Sequence, residues 1–211
     1  MKLDRIVLAS GNAGKLAEMT GLLAPLGVTV QAQAALGVTE AEEPHCTFIE
    51  NALVKARRAS RLTGLPAIAD DSGLCVDVLG SRPGVLSARW ASAGENDGIE
   101  SDRNGRDRAN NAKLVRELAG VRERRAHFYC VLVLLRAADD PQPIVADASW
   151  EGEVIDLPRG DSGFGYDPHL LIPSLGRTVA ELDAGTKNRL SHRGRAMQAL
   201  IERLRGMGAG G

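Results

Sequence analysis

Three observations in this 211-residue sequence predict a mixed α/β fold, a central sheet flanked by helices. Apolar runs of strand length alternate with stretches of helical spacing. The chain opens on a strand, turn, helix, strand unit. Its middle carries two long β runs separated by a tight turn signal. With 44% hydrophobic residues, the chain can bury a core as one domain or as two lobes sharing a cleft.

Residues 6–9 (IVLA) are apolar and β-branched, and predict a buried strand. Leu16, Met19, Leu22, Leu23 and Leu26 share one side of a predicted helix over 15–26, and 28–32 predicts a second strand. Thr47 and Glu50 match a capping box, opening a helix expected to reach about Leu62, with Gly64 and Pro66 ending it. Residues 67–69 and 74–78 predict short strands on either side of Asp70-Asp71-Ser72-Gly73. The polar stretch 92–108 reads as a surface loop, and a helix is expected from Asn104 or Asp107 to Leu118. Residues 126–135 are strongly β, and 144–155 should be their antiparallel neighbour across Asp139-Asp140-Pro141. A last helix, from about Ser191 to Arg205, places Met197, Leu200, Ile201 and Leu204 at helical spacing. Residues 1–205 are thus expected to form a single domain of two lobes, with 206–211 a flexible Gly-rich tail.

Composition excludes several classes. A formal net charge of -1 supplies no global field for a nucleic-acid polymer. Cys46, Cys75 and Cys130 are scattered without a CxxC pair, which argues against a disulfide framework and a zinc site. The first ten residues are too short and too charged for a signal-peptide core, and no apolar run approaches the ~20 residues of a membrane span. A cytoplasmic protein with no membrane contact is the expectation.

Four stretches carry chemistry. Ser10, Gly11, Asn12, Ala13, Gly14 and Lys15 lie between a strand and a helix, where backbone N–H groups and the helix dipole favour anions. The stretch is a phosphate-holding turn or a plain strand-to-helix turn. It is not a Walker A loop, because Leu16 stands where Ser or Thr would bind magnesium. Asp70 and Asp71 point to opposite sides if the strand continues, so that one ligates a metal while the other orients or activates water. As an alternative, they form an exposed turn. Glu42 and Glu43 are candidates to complete a metal shell, and Glu43 is taken here beside Asp71.

Phe164 and Tyr166 fall in one Gly-rich loop of a chain that is only 3% aromatic. With Gly165 they suit stacking on a planar base, or else they plug the loop onto the domain. Asp167 either accepts from a base edge or anchors the loop. Lys187, His192 and Arg193 lie just before and within the start of the last helix. They reach phosphate or base, or form a solvated helix start. Lys55, on the second helix, either contacts phosphate or is a surface residue. No G-x-S-x-G is present, so metal-activated water is expected rather than a covalent serine intermediate.

The order SGNAGK, EE, FIENALVKA, ADDSGL, GFGYDP, SHRGRA closely resembles the inosine/xanthosine triphosphate pyrophosphatase family, from Ile6 to about Arg205. The sibling Maf-like group shares the fold but carries Ser-Pro-Arg-Arg after its first strand, whereas this chain has Asn12-Ala13-Gly14-Lys15. The resemblance implies an elongated two-lobed fold with a cleft, usually homodimeric, and hydrolysis of purine nucleoside triphosphates between the α and β phosphates. It implies that residues 10–15 hold the triphosphate and that Asp71 is proton acceptor and magnesium ligand, supported by Asp70. It further implies that Ser72 touches substrate, that residues 164–167 clamp base and sugar, and that Lys187, His192 and Arg193 read the base and nearby phosphate. Ser10 stands where many members have Thr, and the stretch 93–106 is longer than the usual connection. A nucleotide sensor without turnover and a phosphotransferase are the competing readings.

Overall fold

The computed structural model describes residues 3–92 and 102–206. In chain order the elements are β1 (Arg5–Leu8), α1 (Ala13–Leu23), β2 (Thr29–Ala32), α2 (Phe48–Thr63), β3 (Ala67–Val76), β4 (Arg82–Pro83), α3 (Arg103–Glu117), β5 (Arg125–Leu135), β6 (Ile144–Val154), β7 (Leu170–Ile172), β8 (Arg177–Thr178), α4 (Ala184–Leu190) and α5 (His192–Gly206). The strands follow the order β2-β1-β3-β5-β6-β7-β8, with β4 paired to β3. The fold is the mixed α/β type predicted. No helix among the described residues is long and apolar enough to cross a membrane.

The chain divides into two compact units, one of residues 1–71, 130–148 and 193–211, the other of 72–129 and 149–192. In the first, β1 runs parallel to β2, with Ile6 beside Val30, and parallel to β3, with Leu8 beside Ile68. Its core joins Ile6, Leu8, Met19, Leu23, Ile68, Leu132 and Leu134 to Met197, Leu200 and Leu204 of α5. In the second, β6, β7 and β8 pair antiparallel, and Leu74, Leu114, Leu118, Phe128, Trp150, Tyr166 and Leu170 form the core.

Local chemistry explains most boundaries. Asn12 caps α1 and Thr47 caps α2. At Thr47 the reciprocity of a capping box is altered: Glu50 N–H donates to the hydroxyl, which donates onward to the Glu50 carboxylate at 2.5 Å. The helix expected to reach Leu26 stops at Leu23, and Ala24–Leu26 form a tighter turn. Pro25 lacks the N–H that would continue the α ladder.

Two expectations are corrected. The two short strands expected at 67–69 and 74–78 are one, β3, which continues through Asp70-Asp71-Ser72-Gly73 and removes the alternative of an exposed turn there. The two carboxylates find cationic partners where they lie, Lys15 and the buried Arg193 for Asp70 and the half-buried Lys55 for Asp71, so the chain has no need to leave the sheet. Gly73 serves close approach instead, since a Cβ there would stand 2.3 Å from Gly84 O and 2.4 Å from Ser87 Oγ. The helix expected from Asn104 or Asp107 starts at Arg103, inside the stretch 92–108 read as a loop, because Asp102 Oδ1 accepts from Gly105 N–H and caps it. The rest of the polar stretch, 93–101, and the tail beyond Gly206 lie outside the described residues. The strands β4, β7 and β8 and the helix α4 were not anticipated, being two to seven residues long.

Candidate active site

The alternation of a strand sends Asp70 and Asp71 to opposite sides of β3, and each finds a different set of partners. Asp70 Oδ2 is 2.8 Å from Lys15 Nζ of α1 and 3.3 Å from Arg193 Nε of α5. Asp71 Oδ1 is 2.9 Å from Lys55 Nζ, and Asp71 Oδ2 accepts from Asn51 Nδ2 at 3.4 Å. Asn51 and Lys55 are one turn apart on α2, so both reach the same carboxylate. Lys55 Nζ also donates to Glu43 Oε1 at 2.8 Å.

The two carboxylates titrate in opposite directions. Burial would raise Asp70, but the charges of Lys15, Arg193 and Lys55 outweigh it and hold the carboxyl well below the ordinary range. Burial pushes Asp71 above its ordinary value; Lys55 opposes this, while Glu43 and Asp70 add to it. Burial would lower Lys55, but Asp71, Asp70 and Glu43 keep it above its ordinary value and therefore charged. Asp71 is thus the better proton acceptor of the pair, and Asp70 a fixed anion.

The donor set suits a hard divalent cation. Asp71 Oδ1 and Glu43 Oε1 already converge on one cationic atom, Lys55 Nζ, at 2.9 and 2.8 Å. Of the two candidate glutamates, Glu43 is the one that shares Lys55 with Asp71. Among the described residues no group of three or more His, Cys, Asp or Glu could hold a metal by itself. Two carboxylates completed by phosphate oxygens and water is how magnesium usually binds.

The turn before α1 differs from expectation. Its amides are not free: Gly11 N–H donates to Glu40 Oε1 at 3.0 Å, Asn12 N–H to Ser10 Oγ at 3.2 Å, and Gly14 N–H to Asn12 Oδ1 at 2.9 Å. Lys15 N–H shares the Asn12 oxygen at 3.4 Å. Asn12 is its own helix cap, and its side-chain oxygen occupies the amides of Gly14 and Lys15. Ala13 opens the helix. The Lys15 ammonium lies on Asp70.

In the second unit, the loop 163–167 splits its two aromatics. Phe164 is 41% exposed, whereas Tyr166 is 4% exposed, lies in the core and donates its hydroxyl to Ser87 O at 2.9 Å. Both rings were expected to suit a base; Tyr166 instead plugs the loop onto the unit, because its apolar body has a core to fill after all. Asp167 anchors the loop, accepting from Phe164 N–H at 2.8 Å and from Lys187 Nζ at 2.5 Å. Gly163 has φ 86°, and a Cβ there would stand 2.1 Å from Asp167 Oδ2, so only glycine fits. Arg103 and Lys187 place their charges 4.5 and 4.6 Å from the Phe164 ring centroid. Ser72 is half-buried in β3.

His192 and Arg193 begin α5 but do not form a solvated helix start. His192 is buried and stacked on Phe128 at 4.9 Å between centroids. Arg193, expected to reach phosphate, is buried on Asp70, with Glu18 Oε2 at 3.9 Å. Its charge is committed to an internal carboxylate. Sequence reasoning missed Asn51, whose spacing from Lys55 was a usable signal. It also missed Asp107 and Asn111, whose partner lies 54 or more residues away.

A model of the Ham1 family matches residues 6–203. The chain belongs to the Ham1 family. This Ham1-family chain is 63% identical over 203 residues to a dITP/XTP pyrophosphatase of Ralstonia nicotianae, covering 96% of this chain and 98% of that one. It is 57% identical over 204 residues to a dITP/XTP pyrophosphatase of Chromobacterium violaceum, covering 97% and 98%. Among solved structures it is similar to a HAM1 protein from Coxiella burnetii, at TM-score 0.86 and 44% identity, covering 98% of this chain and all of that one. A nucleoside-triphosphatase / dITP/XTP pyrophosphatase from Mycobacterium abscessus matches at TM-score 0.72 and 39% identity, covering 93% and 98%.

Proposed function

We propose that this Ham1-family chain hydrolyses non-standard purine nucleoside triphosphates, namely ITP, dITP and XTP, to the monophosphate and pyrophosphate. The observation that carries the chemistry is Asp71: a buried carboxylate of raised basicity, sharing Lys55 with Glu43. Water attacks the α-phosphorus as Asp71 takes its proton, the α–β bridging P–O bond breaks, and pyrophosphate leaves. Asp71 and Glu43 would hold magnesium, which when bound supplies neutralisation of the phosphate charge. Lys55 orients Asp71 and Glu43, and Lys15, released from Asp70, meets the phosphate chain.

Selection follows from polar matching. Hypoxanthine and xanthine carry a carbonyl at position 6, where adenine carries an amino group. A site that offers donors there, from Lys187 or His192, leaves adenine with a donor facing a donor, a mismatch that discriminates strongly. The exposed Phe164 ring supplies a stacking face. Magnesium, a homodimeric assembly and a cytoplasmic location belong to the same proposal and rest on the family resemblance.

The test is a panel of nucleoside triphosphates assayed for pyrophosphate with and without magnesium. Magnesium-dependent release from ITP, dITP and XTP, with little from ATP, is expected. Tight ITP binding without any release would overturn the reading in favour of a sensor.

A further inference from the structure

Helix α3 carries no residue that the proposed chemistry uses, yet one of its faces is built against the loop that bears Phe164. Asp107 Oδ2 accepts from Gly165 N–H at 2.8 Å, and Asn111 Nδ2 donates to Gly165 O at 2.9 Å. Arg103, one turn earlier on the same face, sets its guanidinium over the Phe164 ring. Three successive turns of one helix therefore grip two consecutive loop residues. The neighbouring α3 side chains hold a different segment: Asn110 takes Ala91 N–H and Ser87 O, and Lys113 takes Trp90 O.

Gly165 has no side chain to restrict it, and its φ is 60°. Left alone, such a residue would let the preceding ring wander. Holding its N–H and its C=O fixes both dihedrals, and the Asp167 carboxylate fixes the N–H of Phe164 from the other side. The residue is 41% exposed, with the Arg103 and Lys187 charges set over its ring, and it is held at its root. An aromatic face ordered in advance binds a planar partner without first having to be ordered.

We propose that Asp107 and Asn111 are positioning residues for base recognition, acting through Gly165 on Phe164. This rests on the reading that Phe164 receives the purine. The prediction is specific to the base: weaker nucleoside triphosphate binding, with the phosphate site untouched.

The test uses the full chain with magnesium, ITP as substrate and inorganic tripolyphosphate, which lacks a base, as competing inhibitor. Asn111→Ala should raise the KM for ITP about tenfold. Its kcat should stay within about threefold and the tripolyphosphate inhibition constant should not move. Phe164→Ala should raise KM about tenfold or more, and adding Asn111→Ala to it should cost little further, because the clamp has lost its object. Asp107→Leu should behave as Asn111→Ala does, while Asp107→Asn, which keeps an acceptor oxygen, restores a KM near the parent's. A normal KM in Asn111→Ala beside a raised one in Phe164→Ala would overturn the clamp and leave base stacking standing. A parallel rise in the tripolyphosphate constant would overturn it in favour of a general structural role. An unchanged KM in Phe164→Ala would remove base stacking, and the clamp with it.

Discussion

Asp70 and Asp71 are consecutive residues of one strand, yet the fold holds the first ionised and makes the second reluctant to ionise. Two cations from helices α1 and α5 meet at a single oxygen of Asp70, whereas Asp71 shares its lysine with a second carboxylate. Adjacent, chemically identical groups therefore make stability contributions of opposite sign at neutral pH.

For Asp70 the folded value lies below the unfolded one, so its contribution is complete above the ordinary carboxylate range and is lost as pH falls through and below it. Asp70→Asn takes the anion from Lys15 and leaves the buried Arg193 with the more distant Glu18, at 3.9 Å. Urea unfolding at pH 7 should show a loss of about 3–5 kcal/mol, with less difference from the parent in acid.

For Asp71 the folded value lies above the unfolded one, and at neutral pH the ionised group costs stability instead of adding it. Asp71→Asn should destabilise the fold less than Asp70→Asn does, because it removes a carboxylate whose ionisation burial opposes and leaves Lys55 its second anion, Glu43. Turnover of ITP should fall by about 10²–10⁴-fold, because a carboxamide cannot accept the proton. Full turnover in this variant would show that another group is the base.

Tyr166→Phe tests whether that ring serves the core or the base. Removing the hydroxyl leaves the Ser87 carbonyl with the Asn110 amide as its remaining donor, which should cost about 1 kcal/mol in chemical unfolding. The KM for ITP should stay within about twofold if the ring is not a stacking partner.

The hairpin between β5 and β6 is closed by Asp140, which accepts from the Arg136 guanidinium at 2.6 and 2.8 Å and from the N–H groups of Arg136 and Gln142 at 3.0 and 2.9 Å. The Arg136 hydrogen bonds hold the Asp140 carboxyl well below the ordinary range. Asp140→Asn should cost about 2 kcal/mol at pH 7, and the deficit should shrink as pH falls below the ordinary carboxylate value. Unfolding curves at pH 7 and pH 3 check both parts.

Local signals were legible where the chain's own neighbourhood decides. The strand and helix on either side of Asn12, the Asp139-Asp140-Pro141 hairpin and the helix periodicity of Met197, Leu200 and Leu204 were all readable in the sequence. The choice of Asp71 among the acidic residues came from motif order. What stayed hidden depends on distant partners. The Asp70–Arg193 pair spans 123 residues, and it is this pair, with Lys15, that keeps a turn-like Asp-Asp-Ser-Gly inside a strand. Tyr166 read as a loop aromatic because Ser87, its partner 79 residues earlier, carries no mark of the contact. The amides before α1 read as open because a side chain that caps its own helix looks, in sequence, like one that waits for a ligand.

The chain passes between its two units at residues 71–72, 129–130, 148–149 and 192–193, so neither unit is a continuous stretch. This has a consequence during synthesis. The unit that starts at Ser72 has all its core side chains once Leu182 has left the ribosome, whereas the unit that begins the chain lacks Met197, Leu200 and Leu204 until later. Residues of β1 and α1 are therefore made well before the α5 side chains that complete their core. A nascent chain stalled before α5 should display the apolar faces of β1 and α1 to chaperones, and a stop codon near residue 190 should remove the stability of the amino-terminal unit, not only the final helix.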